Sequence, residues 1–288
     1  GNLIALKRGG KTKLQFAAHM DEIGVIVTAI DKQGFLRFSN IGGIRPHRLY
    51  AQRVRFQNGT MGVIGAEKID DLKQLTLEKL YIDIGATSSE EAKTKVAVGD
   101  IASFDHGYLD LGQRVVAKAL DDRVGCAVLI EALKRVTKPQ NDLYCTFTVQ
   151  EEVGLRGAKT AAFGLDPDLG IALDVTATGD TPEAPKLAMK LGQGAAIKVK
   201  DVSLITHPQV KELLTTLAEQ NGIPHQFEVL PFGGTDAGAI HLTKAGIPAG
   251  VISVPCRYLH SPSEMVDLND VEAAVRLVVA TMEHPITL

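Results

Sequence analysis

The stretch 13-KLQFAAHMDEIGVIVTAI-30 contains two kinds of strand and the join between them. Lys13–His19 is an apolar run that ends in polar residues, and it reads as a strand of an α/β sheet. From Glu22 the character changes. The short β-like runs IGVIVTAI, GFLRF, RVRFQ, MGVIGA, YIDIGA and DIASFD follow one another to about Gly112. Turn signals such as Lys32-Gln33-Gly34 and Asn58-Gly59 separate them, the pattern of a small all-β module.

From Val115 the pattern is α/β. Asp121–Val136 places Val124, Ala127, Val128, Ile130 and Leu133 at helical spacing. Leu143–Gln150 reads as a strand, Leu169–Asp174 as an apolar run ending in an acid, and Ala249–Pro255 as a buried strand. His207–Asn221 reads as an amphipathic helix, with Pro208 in its first turn and Gly222 past its end. Asn269–Met282 reads as a closing helix, with Asn269 and Glu272 spaced as a capping box. The expected organisation is an α/β domain formed by 1–23 and 113–288, interrupted by a β-rich domain at 24–112. No internal repeat or low-complexity tract is visible. The chain opens almost directly in a strand, and a preceding segment is expected to be missing from it.

The chain has 288 residues, of which 45% are hydrophobic and 23% charged, enough for a sizeable core. A net charge of -3 shows no basic footprint for nucleic acid. No apolar run approaches the ~20 residues of a membrane helix. Cys126, Cys145 and Cys256 lie far apart in apolar runs, and read as buried, reduced thiols of a cytoplasmic protein.

Several apolar runs end in an acid or a histidine. His19 and Asp21, Asp121 and Asp122, Glu151 and Glu152, Asp174, and His260 each stand just past such a run. Open α/β sheets bind ligands beyond the carboxyl ends of their strands. Each residue has a plainer alternative: His19 as a hydrogen-bonding histidine, Asp121 as a helix N-cap, Asp174 as a turn acid, the glutamates as a solvated strand end. If the residues converge, their carboxylates repel and need cations. Mixed histidine and carboxylate donors suit Zn²⁺, Co²⁺ or Mn²⁺. The donors are too many for one catalytic metal, and two ions about 3.5–4 Å apart fit better.

The ordered motifs AAHMDEIG, KALDDRVGC, FTVQEEVGLRGA, ALDVT, PFGGTDAG and RYLHSPSEMV resemble the two-metal aminopeptidases of metallopeptidase family 42. That family includes glutamyl and tetrahedral (TET) aminopeptidases, and some members were once labelled endoglucanases. The resemblance covers essentially the whole chain. It implies a mixed-sheet α/β/α metallopeptidase domain with an inserted all-β dimerisation domain. It also implies two divalent metal ions per subunit. By resemblance, His19 and Asp174 hold one metal, Glu152 and His260 the other, and Asp121 bridges them. Asp21 orients His19, Asp122 supports the ligands from behind, and Glu151 is the general base. The resemblance also implies that Gly234 and Thr235 line the substrate pocket; for Arg257, beside His260, the sequence leaves open a substrate-binding contact with an acidic side chain or pairing with a surface acid. Relatives carry a helix and a strand before the segment GNLIAL. The implied partners are peptides with a free α-amino group and further copies of the chain, as a dimer building a tetrahedral dodecamer.

Three other readings remain open here. One is a related two-metal carboxypeptidase or deacylase. A non-catalytic binding protein of the same fold is another. In a glycosidase, the third, adjacent Glu151 and Glu152 would point to opposite faces of an extended chain, which suits that chemistry poorly. The chain also lacks Trp and has only 5% aromatic residues, thin for stacking on sugars.

Overall fold

The computed structural model describes residues 1–287, apart from the Leu72 side chain. The chain divides into two compact units. One comprises 1–21, 109–259 and 264–288, and the other 22–108 and 260–263.

The first unit begins with strands β1 (Leu3–Lys7) and β2 (Lys13–His19). The second unit then contributes β3 (Gly24–Ile30), β4 (Leu36–Ile41), β5 (Arg53–Phe56), β6 (Met61–Ala66), β7 (Leu80–Asp83) and β8 (Ile101–Phe104). These six correspond one for one to the β-like runs of the sequence. They close into an antiparallel barrel in the order β3-β4-β7-β6-β5-β8. Alternation explains the closure: on β5, Val54 and Phe56 are buried while Arg53 and Arg55 are exposed. Val25, Val27, Leu36, Phe38, Ile64, Ile82 and Phe104 complete the same core. Helix α1 (Ser89–Lys95) is capped by Ser88, whose side chain accepts the Glu91 N–H at 3.2 Å.

The first unit resumes with β9 (Leu109–Asp110), β10 (Arg114–Ala117), helix α2 (Leu120–Arg135), β11 (Asp142–Thr148), α3 (Arg156–Leu165) and β12 (Leu169–Ala177). Then come β13 (Ala195–Lys200), α4 (Pro208–Gln220), β14 (His225–Val229), α5 (Asp236–Ile240), β15 (Ala249–Arg257), β16 (Glu264–Asp267) and α6 (Leu268–Met282). Ten strands form one mixed sheet in the order β1-β11-β2-β12-β15-β16-β10-β9, with β13 pairing β15 and β14 pairing β13. Its centre, β11-β2-β12-β15, is parallel.

These central strands are covered on both faces, so their sequences read as continuous apolar runs. On β2, Leu14, Phe16 and Ala18 face α2, in the core that residues of α4 and α6 also line. Ala17 points the other way, among Ala158 and Ala162 of α3 and Ile240 of α5. His19 shares the Ala17 face, because strand residues two apart lie on one side. The α/β/α layering expected from the sequence is thus present.

Some boundaries differ from the sequence reading. Strand β11 ends at Thr148, so Glu151 and Glu152 stand on a turn. Helix α6 is capped by Asp267, whose Oδ1 accepts the Asn269 N–H at 3.0 Å. Asn269 is therefore inside the helix, and Glu272 instead pairs with Arg135 at 2.6 Å. The Asp two residues earlier takes the capping position instead. All three cysteines are free and buried. Among the described residues, no helix is long and apolar enough to cross a membrane.

Candidate active site

The register of the sheet assembles the site. Thr148 on β11 lies opposite His19 on β2, and Ala172 on β12 lies opposite Ala17. His19 and Asp174, each two residues further on, therefore share one face. That is the face covered by α3 and α5. Asp174 lies within β12 rather than beyond it, and is buried.

Asp121 arrives from α2. Ala119 has a left-handed backbone (φ 57°), and Asp121 and Asp122 are non-helical, so the regular helix starts after them. Asp122 is the residue that caps it: its Oδ1 accepts the Gly125 N–H at 3.1 Å, and its Oδ2 accepts the His19 N–H at 3.2 Å. Asp121 is left to face the histidine, with its Oδ1 3.0 Å from His19 Nε2. His19, Asp121 and Asp174 each offer a ligand atom within 4.8 Å of the others, and all three are buried. Asp121 and Glu152 also offer oxygens within 4.8 Å of one another.

Glu151 and Glu152 sit on a tight turn after β11. Gly154 has φ 118°, where a side chain would be strained, and its N–H donates to the Glu151 carbonyl at 2.9 Å. Asp21 holds this turn from the other side. Its two oxygens accept the N–H groups of Glu151 and Glu152 at 3.1 and 3.2 Å. The Asp21 carbonyl lies 3.2 Å from His19 Nδ1, which can only donate to it. That contact leaves Nε2, which faces Asp121, as the ring nitrogen that could ligate a cation. Glu151 Oε2 lies 3.9 Å from the same Nε2.

His260 belongs to the second unit. Its Nδ1 is 2.7 Å from the Gly43 carbonyl, which leaves the lone pair on Nε2. Gly234 and Thr235 precede α5, and the Thr235 N–H reaches Ser203 Oγ at 3.4 Å. The Arg257 guanidinium grips Asp180 at 2.9 and 2.7 Å, so its acidic neighbour is one of the chain's own.

Other residues support the cluster with little signal in the sequence. Buried Glu264 accepts the Asp121 N–H at 3.0 Å, and Cys126 Sγ donates to the His19 carbonyl at 3.2 Å. Thr148 Oγ1 donates to buried Asp236 at 2.5 Å. Glu264 opens the short alternating run Glu-Met-Val-Asp, and an acid there was the available clue.

Electrostatics explains what the pocket needs. Burial, then the Asp174 charge, pushes the Glu151 carboxyl up to about 10. Burial also raises Asp122 and Asp174 well above the usual carboxylate range, aided by Asp174 and Asp121 respectively. Burial opposes charge on the His19 ring, but Asp121, Asp122 and Asp174 outweigh it and raise its pKa well above the ordinary value. Such acids stay ionised only against positive charge brought into the pocket. The oxygen and imidazole donors fit divalent cations of the zinc type.

A mixed sheet with this buried histidine and carboxylate cluster at its carboxyl edge, in a chain that also carries a separate small barrel, defines a metal-dependent hydrolase. The chain belongs to the M42 glutamyl aminopeptidase family, whose model matches residues 1–277. It is 36% identical over 297 residues to the lysyl aminopeptidase of Pyrococcus furiosus, covering 99% of this chain and 85% of that protein. An aminopeptidase structure from Desulfurococcus kamchatkensis superposes with a TM-score of 0.94 at 45% identity, covering 99% of this chain and 83% of that one. The TET1 peptidase of Pyrococcus horikoshii, described as assembling into a tetrahedron or a large octahedral shell, gives 0.88 at 38% identity, covering 98% and 87%.

Proposed function

We propose that this aminopeptidase removes the N-terminal residue of peptides with a free α-amino group, using two divalent cations and Glu151 as general base. The observation that carries the reading is the placing of Glu151 Oε2 3.9 Å from His19 Nε2, beside the clustered donors of His19, Asp121 and Asp174. His19 and Asp174 would hold one cation, Glu152 and His260 the other, and Asp121 both. When bound, the cations polarise the scissile carbonyl and lower the pKa of water. Zn²⁺, Co²⁺ and Mn²⁺ all suit the donors.

Glu151 Oε2 takes the proton of the attacking water and returns it to the leaving amine. Glu152 cannot share that task, since a ligand is tied to its cation. Asp21 keeps the two side chains apart in role by fixing both backbone N–H groups. Asp122 fixes the His19 backbone. Gly234 and Thr235 would line the substrate pocket. With Asp180 neutralising it, Arg257 suits a structural task better than selection of an acidic side chain.

The barrel, residues 24–112 in the sequence reading, would serve dimerisation, and the dimers would build a tetrahedral dodecamer like that of the TET1 relative. Three free thiols suit the reducing cytoplasm. The test is a panel of aminoacyl-p-nitroanilides. Activity should vanish with EDTA and return with Co²⁺ or Zn²⁺. Cleavage of N-acetylated but not free peptides would point instead to the deacylase or carboxypeptidase alternative.

A further inference from the structure

Away from the proposed metal centre, three of the most deeply buried charges form one network. Lys198 on β13 is the register partner of Glu228 on β14. Its Nζ lies 2.5 Å from Glu228 Oε1 and 3.1 Å from Asp201 Oδ2, with all three side chains almost wholly buried. The network shares a sheet face with the candidate site. Asp174 lies opposite Ser253, Ser253 opposite Ala196, and Lys198 is two residues beyond Ala196.

The other oxygen of Asp201 organises a turn. Oδ1 accepts the Ser203 N–H at 2.7 Å, the Ser203 hydroxyl at 2.9 Å and the Leu204 N–H at 2.8 Å. With its proton committed to Asp201, Ser203 Oγ is free to accept the Thr235 N–H at 3.4 Å. The Val202 N–H also donates to the Gly233 carbonyl at 3.2 Å. A Cβ on Gly234 would lie 3.0 Å from Ser203 Oγ, and one on Gly238 only 2.4 Å. The two glycines let the Phe232–Gly238 segment close onto this turn. A buried ion network adds little net stability compared with apolar packing, so stability alone does not explain one here.

We propose that Asp201 is a positioning residue for peptide binding: anchored by Lys198 and Glu228, it sets Ser203 under Gly234 and Thr235 and so fixes the shape of the pocket loop. The proposal rests on the reading that this loop lines the substrate pocket of an aminopeptidase. The direct test is Ser203→Ala and Asp201→Asn in the assembled, metal-loaded enzyme. The substrate is whichever aminoacyl-p-nitroanilide the unaltered enzyme cleaves fastest. KM should rise about fivefold in each, the size of one lost hydrogen bond, with kcat within about twofold and metal content unchanged. The double variant should be about as impaired as the worse single, because both act through one contact. Unchanged KM in both variants, or a fall in kcat at unchanged KM, overturns the proposal. If Asp201→Asn fails to fold, Ser203→Ala decides alone, since it removes no buried charge. An unaltered enzyme that releases no p-nitroaniline overturns the aminopeptidase reading itself, and this proposal with it.

Discussion

The Asp21 carboxylate accepts the backbone N–H of Glu151 at 3.1 Å, while its second oxygen accepts that of Glu152 at 3.2 Å. One side chain thus fixes the backbone of the proposed base and of a proposed ligand together. Its own carbonyl meets His19 Nδ1 at 3.2 Å. Asp21→Asn would place an NH₂ group against one of the two N–H donors and tilt the turn. We expect kcat to fall about 10- to 100-fold, as for other groups that orient metal ligands, with partial loss of the more weakly held metal. Steady-state kinetics beside elemental analysis checks this. Unaltered kcat at full metal content would show that the turn holds without Asp21.

Glu151→Gln keeps the shape of the side chain and removes its basicity. The proposed cation donors His19, Asp121, Asp174, Glu152 and His260 are untouched. Turnover should drop by at least about 10²-fold, the usual contribution of a general base, while metal content stays near that of the unaltered enzyme. Full activity in this variant would sink the assignment.

The architecture was legible because its signals are local. Lys13–His19 and the six short runs after it announce themselves by apolar continuity and alternation, and each became a strand. The candidate site was legible as a list of strand-end acids and histidines, though no spacing in the chain reveals that Thr148, His19 and Asp174 line up; the register of paired strands does that. Ala195–Lys200 carries two lysines, a pattern that does not mark a buried strand. Lys198 is buried by partners that arrive from Asp201 and Glu228, one of them on another strand. The capping box at Asn269 failed for a similar reason: Asp267 competes for the same N–H, and Arg135 draws Glu272 away. Asp122 in turn took the capping task that the sequence offered to Asp121.

The barrel carries its own pH dependence. Glu91 is held down to about 2, first by Lys95 and then by the Thr87 N–H, with contacts of 2.8 and 2.9 Å. A carboxyl depressed in the folded state stabilises above its ordinary pKa, and that contribution is lost as pH falls toward the folded value. Glu91→Gln should therefore lower the thermal midpoint of the barrel near neutral pH, and the gap to the unaltered chain should close as pH falls from about 5 to about 2. Scanning calorimetry across that range gives the answer. A gap as wide at about pH 3 as at about pH 7 would mean that Glu91 acts by packing rather than charge.

Asp121 separates a bridging carboxylate from an ordinary ligand. It lies 3.0 Å from His19 Nε2, and it also offers oxygens within 4.8 Å of Asp174 and of Glu152. Its N–H is held by Glu264, a contact that survives truncation of the side chain. Asp121→Ala should therefore leave the backbone in place while removing a donor from both proposed cations. Elemental analysis should find both metals lost, and activity should not return on adding Co²⁺ or Zn²⁺. Asp174→Ala, which alters only the proposed His19 cation, should retain about one metal per chain. Two metals per chain in Asp121→Ala would refute bridging. Loss of both in Asp174→Ala would instead show that the second cation depends on the first.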